Sequence, residues 1–179
     1  SWASAKGSDP CSSSYGMTAC QEGRVAQPMG DGLYLIDTGY VRPGLAASHL
    51  VVDQGRAAFV DTGPGPAAPR LLAALDELGL AREQVDYLFL THVHLDHAGG
   101  AGQMMQALPN AKAVLHPRGA PHLVDPSKLI AGTIAVYGDA VYRQLYGELL
   151  PIPADRVLLM ADGMRLQLGA RTFEFIDAP

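Results

Sequence analysis

The stretch Thr91-His92-Val93-His94-Leu95-Asp96-His97-Ala98-Gly99-Gly100 constrains this chain more than any other. It follows the apolar run Tyr87-Leu88-Phe89-Leu90, which reads as a buried β-strand. Three imidazoles and a carboxylate then fall within six residues, and the small residues of 98–102 lead into a helix-like segment. Imidazole nitrogen and carboxylate oxygen are the donors that Zn²⁺ and Fe take. A strand end supplies rigid backbone behind donors that must converge on a point. Solvated loop histidines are the plainer reading, one that suits a lone His far better than four donors spaced H-x-H-x-D-H. His92, His94, Asp96 and His97 are therefore the candidate metal ligands.

With 179 residues the chain is one domain's worth, long enough to bury a core. Its net charge of −5 and the absence of any Lys/Arg-rich run argue against a nucleic-acid surface. No apolar run approaches the ~18–20 residues of a membrane span, and the first residues lack the apolar core of a secretory signal. These features fit a cytoplasmic protein that engages neither nucleic acid nor membrane. Cys11 and Cys20 are the two cysteines. They read as free thiols first, a disulfide second, and a metal pair last, since two donors make a poor site.

Residues 1–28 are rich in Ser, Gly and Ala without helical or strand period, and read as a disordered leader or appended segment. The domain occupies residues 29–179. Its first strand opens at Gly32 after the turn pair Asp31-Gly32, and strands over 48–52 and 57–60 flank the hairpin turn Asp53-Gln54-Gly55-Arg56. Asp61-Thr62-Gly63-Pro64-Gly65-Pro66 ends that meander and lacks the spacing of a phosphate-binding loop. An amphipathic helix is expected over 67–80, with Leu71, Leu72, Leu75 and Leu78 on one face. The pattern predicts a helix at 103–108, a strand at 113–115, one or two helices over 126–150, and strands at 157–160, 164–168 and 172–176. Tyr137, Tyr142 and Tyr146 recur at helical spacing and read as packing. Surface or structural roles are the default for His49, His116 and His122.

The motif His92-x-His94-x-Asp96-His97, with Asp61-Thr62-Gly63 upstream, resembles the metallo-β-lactamase-fold hydrolase superfamily, in its glyoxalase II-like or lactonase-like branch. That resemblance implies an α/β fold, a four-layer αββα sandwich of which this chain carries mainly the first half. It further implies a binuclear centre of two Zn²⁺ per complete domain, with Fe an alternative. His92 and His94 would belong to the first site and Asp96 and His97 to the second. Asp96 would also be catalytic, aligning the nucleophile, and Asp61 would orient a ligand histidine, the plainer reading being a strand-end carboxylate that caps backbone N–H groups. The sequence ends at Ile176-Asp177-Ala178-Pro179, where the family continues into a Gly-His pair and later ligands. The expectation is thus a truncated domain, inactive alone and given to self-association or to complementation by the missing half. The implied activity is hydrolysis of a small-molecule ester, thioester or lactone by metal-activated hydroxide. Two alternatives are a non-catalytic metal-binding fragment and an iron-dependent, sulfur dioxygenase-like oxidoreductase. The flavodiiron branch usually carries Glu where His94 stands, which argues against it.

Overall fold

The computed structural model describes residues 23–178. Cys11 and Cys20, and with them the readings made of that pair, lie outside the described residues. Seven strands form one sheet in chain order: β1 (Gln27–Gly30), β2 (Leu33–Asp37), β3 (Ala47–Asp53), β4 (Arg56–Val60), β5 (Val85–Phe89), β6 (Lys112–Leu115) and β7 (Val157–Leu159). The first four strands run antiparallel, and β4 through β7 pair in parallel. Chain chemistry accounts for this change. Asp31-Gly32 and Gln54-Gly55 take positive φ at both positions, the two-residue turns that suit the twist of a hairpin. From β4 to β7 every connection carries helix, as parallel pairing requires.

Strand β1 is a short addition that the apolar alternation does not announce. Gln27 pairs with Leu35 and Pro28 with Tyr34, so ordered pairing begins five residues before Gly32. The helix expected over 67–80 is α1 (Ala68–Glu77), preceded by a single 3-10 turn at Gly65–Ala67. Leu71 and Leu75 are fully buried, and Leu72 and Leu78 pack against the same core. A one-turn helix, α2 (Leu95–Ala98), sits inside the histidine motif, and α3 (Ala101–Ala107) follows it. Between β6 and β7 lie α4 (Ala120–Val124), α5 (Ser127–Tyr137) and α6 (Asp139–Tyr146). The last two strands, β8 (Arg165–Leu168) and β9 (Arg171–Glu174), form a separate hairpin.

Period-2 alternation gives the sheet two apolar faces. Leu50, Phe59, Leu88 and Leu115 join Leu71 and Leu75 of α1 and Met104 and Met105 of α3 in the main core. Val51, Ala58, Phe89 and Val114 point the other way and are met by Leu168, Phe173 and Phe175 of the hairpin region. The rings of Phe89 and Phe173 lie 4.8 Å apart, an ordinary aromatic packing distance. The order is thus helices, large sheet, hairpin. Each fully buried Leu or Phe contributes roughly 1.5–3 kcal/mol.

A third cluster joins the histidine loop to the helical insertion. Leu95 packs with Tyr142, Tyr146 and Leu149, and the Tyr146 hydroxyl lies 2.9 Å from that of Tyr40. The tyrosine stripe is therefore packing at Tyr142 and Tyr146, while Tyr137 is exposed. No helix among the described residues is long and apolar enough to cross a membrane.

Candidate metal centre

The site lies where the parallel strands β4 and β5 end, the edge at which open α/β sheets place their ligands. The chain leaves β4 at Asp61 with φ +57°, a left-handed conformation that Asp tolerates better than most residues. Ser48 on β3 donates its hydroxyl to the Asp61 carbonyl at 2.8 Å, which helps hold this turn. The Asp61 side chain is buried and crosses to the end of β5. It accepts the Thr91 backbone N–H at 2.9 Å, and its two oxygens lie 3.0 and 2.8 Å from the Thr91 hydroxyl. One of these oxygens also meets His97 Nδ1 at 3.0 Å.

The next two residues grip the motif from below. The backbone N–H groups of Thr62 and Gly63 donate to the His97 carbonyl at 2.7 and 3.0 Å, and the Thr62 hydroxyl approaches it at 3.0 Å. Gly100 N–H returns a bond to the Gly63 carbonyl at 2.9 Å. Small residues permit this approach. A Cβ on Gly99 would lie 3.1 Å from Pro64 Cα, and one on Gly100 would lie 3.3 Å from Thr62 Cβ. These two glycines thus let the motif lie close against the Thr62-Gly63-Pro64 backbone.

On this platform the imidazoles gather. The His92 and His97 ring centroids are 4.2 Å apart, and those of His92 and His94 are 4.8 Å apart. An Asp96 oxygen lies 3.5 Å from His97 Nε2. Among the described residues, Asp61, His92 and His97 each offer a donor atom within 4.8 Å of the other two. Asp61 is already engaged by Thr91 and by His97 Nδ1, so its geometry is that of a group that orients a ligand. His94 touches the group through its ring, and Asp96 through His97. Partial burial is the first cause holding the His92 imidazole below its ordinary pKa, and the neighbouring His97 and His94 add to it. Metal ligands must be deprotonated, and this environment favours the neutral ring. The donor set fits a divalent metal.

The other histidines stand apart from this group. His116 Nε2 is 3.6 Å from an Asp177 oxygen, and its Nδ1 accepts the Arg118 N–H at 3.1 Å. His49 sits opposite Val60 on β3, and His122 is exposed on α4. Sequence reasoning missed Thr91. The available signal was a hydroxyl residue placed directly between a strand end and the first histidine.

The model of the metallo-beta-lactamase superfamily matches residues 41–172. The chain belongs to this superfamily. As a superfamily member it shares sequence with the hydroxyacylglutathione hydrolase of Salmonella paratyphi A, 37% identical over 94 residues. That match takes in 50% of this chain and 34% of the relative. The corresponding protein of Salmonella typhi is 36% identical over the same length. The match thus spans about a third of the length of these curated relatives. Among solved structures, a subclass B3 metallo-beta-lactamase from a soil metagenome library aligns with a TM-score of 0.57 at 24% identity. It covers 79% of this chain and 47% of that one. A metallo-beta-lactamase of Cronobacter sakazakii, mutated in its HARLDQ motif, aligns at TM-score 0.61 and 20% identity. Here 83% of this chain and 52% of the other are covered. These likenesses show the fold.

Proposed function

We propose that this chain carries the metal-binding arm of a hydrolase acting on a small-molecule ester, thioester or lactone, with Zn²⁺ as the metal. The observation that carries the reading is the convergence of His92 and His97 beside Asp61 at the end of a strand. The similarity to hydroxyacylglutathione hydrolases favours a glutathione thioester within that class. His92 and His94 would hold one metal, and Asp96 and His97 would belong to the second. Bound metal supplies Lewis acidity and lowers the pKa of water towards ~7.

The chain's own residues supply orientation. Asp61 takes a hydrogen bond from His97 Nδ1, so the ring is fixed and its Nε2 faces the Asp96 carboxylate. Asp96 would accept a hydrogen bond from an attacking water and align it. Leu95 carries the motif on the tyrosine cluster, which walls the site on the side of α6.

Elemental analysis of the purified chain, paired with thiol release from a hydroxyacylglutathione thioester, tests this reading. Bound zinc that is lost in His94→Ala is the expected result. Unchanged metal content in that variant would remove His94 from the ligand set. Iron in place of zinc, with O₂ consumption, would move the protein to the oxidoreductase reading.

A further inference from the structure

We infer that Thr91 is a positioning residue: its hydroxyl, anchored on Asp61, holds His92 as the Nδ1–H tautomer and leaves Nε2 bare toward a metal. The Thr91 hydroxyl has one proton and two close neighbours. It lies 2.8 Å from one Asp61 oxygen and 2.9 Å from His92 Nδ1. An ionised carboxylate only accepts hydrogen bonds, so the hydroxyl proton must go to Asp61. Donating it to His92 instead would set two oxygen lone pairs against each other at the Asp61 contact. The hydroxyl oxygen therefore accepts from His92, and Nδ1 must carry the hydrogen. The ring's free lone pair is on Nε2.

The same carboxylate fixes a second ring. His97 Nδ1 is 3.0 Å from Asp61, so that nitrogen also carries its hydrogen, and Nε2, which faces an Asp96 oxygen at 3.5 Å, is the atom left for a metal. One buried side chain thus sets two imidazoles alike, one directly and one through a hydroxyl. The two rings belong to different metals in the reading above, so this arrangement links both sites to a single anchor. The Thr91 N–H bond to Asp61 at 2.9 Å keeps the anchor in place even when the hydroxyl is removed. A Thr91→Val variant therefore tests the hydroxyl and spares the turn.

The inference rests on the reading of His92 as a metal ligand, and the experiment separates the two. Ring ¹⁵N shifts of the metal-free chain are recorded at pH ~8, above the imidazole range. Zinc affinity is measured in parallel on wild type, Thr91→Val and Thr91→Ser. His92 is expected in the Nδ1–H form in wild type and Thr91→Ser, reverting in Thr91→Val to the Nε2–H form that neutral imidazole prefers in water. Zinc binding should weaken about 10-fold in Thr91→Val, the lower end of what loss of an outer hydrogen bond costs a metal site. Thr91→Ser should restore it. An Nε2–H ring in wild type, or an unchanged tautomer in Thr91→Val, would overturn the inference. A wild-type chain with the Nδ1–H ring that takes up no zinc would support the Thr91 role and overturn the metal reading.

Discussion

At the scale of single residues, His92 carries a pH signature. Its folded pKa is depressed, with burial the first cause and the neighbouring imidazoles the second. The unfolded chain therefore binds a proton at His92 more readily than the folded chain does. Stability must rise with pH across the window between the two pKa values. The contribution is complete above the ordinary value of about 6.5 and is lost as pH falls below it. We expect the metal-free protein to lose more of its urea midpoint between pH 7.5 and 5.5 than His92→Gln does. An equal loss in both would show that His92 does not carry the effect. The histidines themselves were legible in the sequence because their spacing is local. The bond from Asp61 to Thr91 was not, because it joins residues thirty apart that meet only through the parallel pairing of β4 and β5. Asp61 could be nominated as an orienting group only by resemblance; its left-handed backbone, which aims the side chain, has no sequence signal beyond the residue's tolerance for it.

At the scale of elements, α3 shows packing overriding propensity. Gly102 lies within this helix, where Ala would be favoured by roughly 0.8–1 kcal/mol on propensity alone. A Cβ there would fall 2.6 Å from Leu150 Cβ, in the segment that follows α6. Overpacking of that kind costs about 1–3 kcal/mol, so the clash wins. Gly102→Ala should lower the urea midpoint; a rise would show that the segment after α6 yields freely. The far end of α3 is closed by Arg156, which donates to the carbonyls of Met105 at 2.8 Å and Ala111 at 3.0 Å, and also to Leu108. Helices and strands with clear apolar period were readable in advance. The single turn α2 was not, because its four residues are too few to show a period and it is held by the bonds of Thr62 and Gly63 to His97.

At the scale of the whole molecule, the sheet's second face is packed by the chain's own last strands. A bare apolar sheet face drives association. The β8–β9 hairpin covers part of it, with Leu168 fully buried against Val51, Ala58, Phe89 and Val114. Asp53 fastens the hairpin's turn by accepting the Ala170 N–H at 2.6 Å. Leu168→Ala should cost about 2–5 kcal/mol. Amide exchange in β8 and β9 should quicken, and light scattering should show a higher mass as the face opens. Unchanged exchange in the hairpin would mean that it is held by its rim contacts alone. Apart from β1, the strands of both sheets were readable as apolar runs, but their stacking was not, since a period of two names the faces without naming what covers them.

The bond from Asp61 to the histidine loop also bears on how the protein acquires a metal as it folds. Four donors within six residues form an arm that an unfolded chain already possesses. The orienting carboxylate, by contrast, arrives only after a parallel strand pair has closed a long loop, a slow non-local step in folding. Early capture would meet unaligned rings, and firm capture would wait for the sheet. Metal uptake during refolding would then lag collapse and report the moment at which β4 and β5 come together.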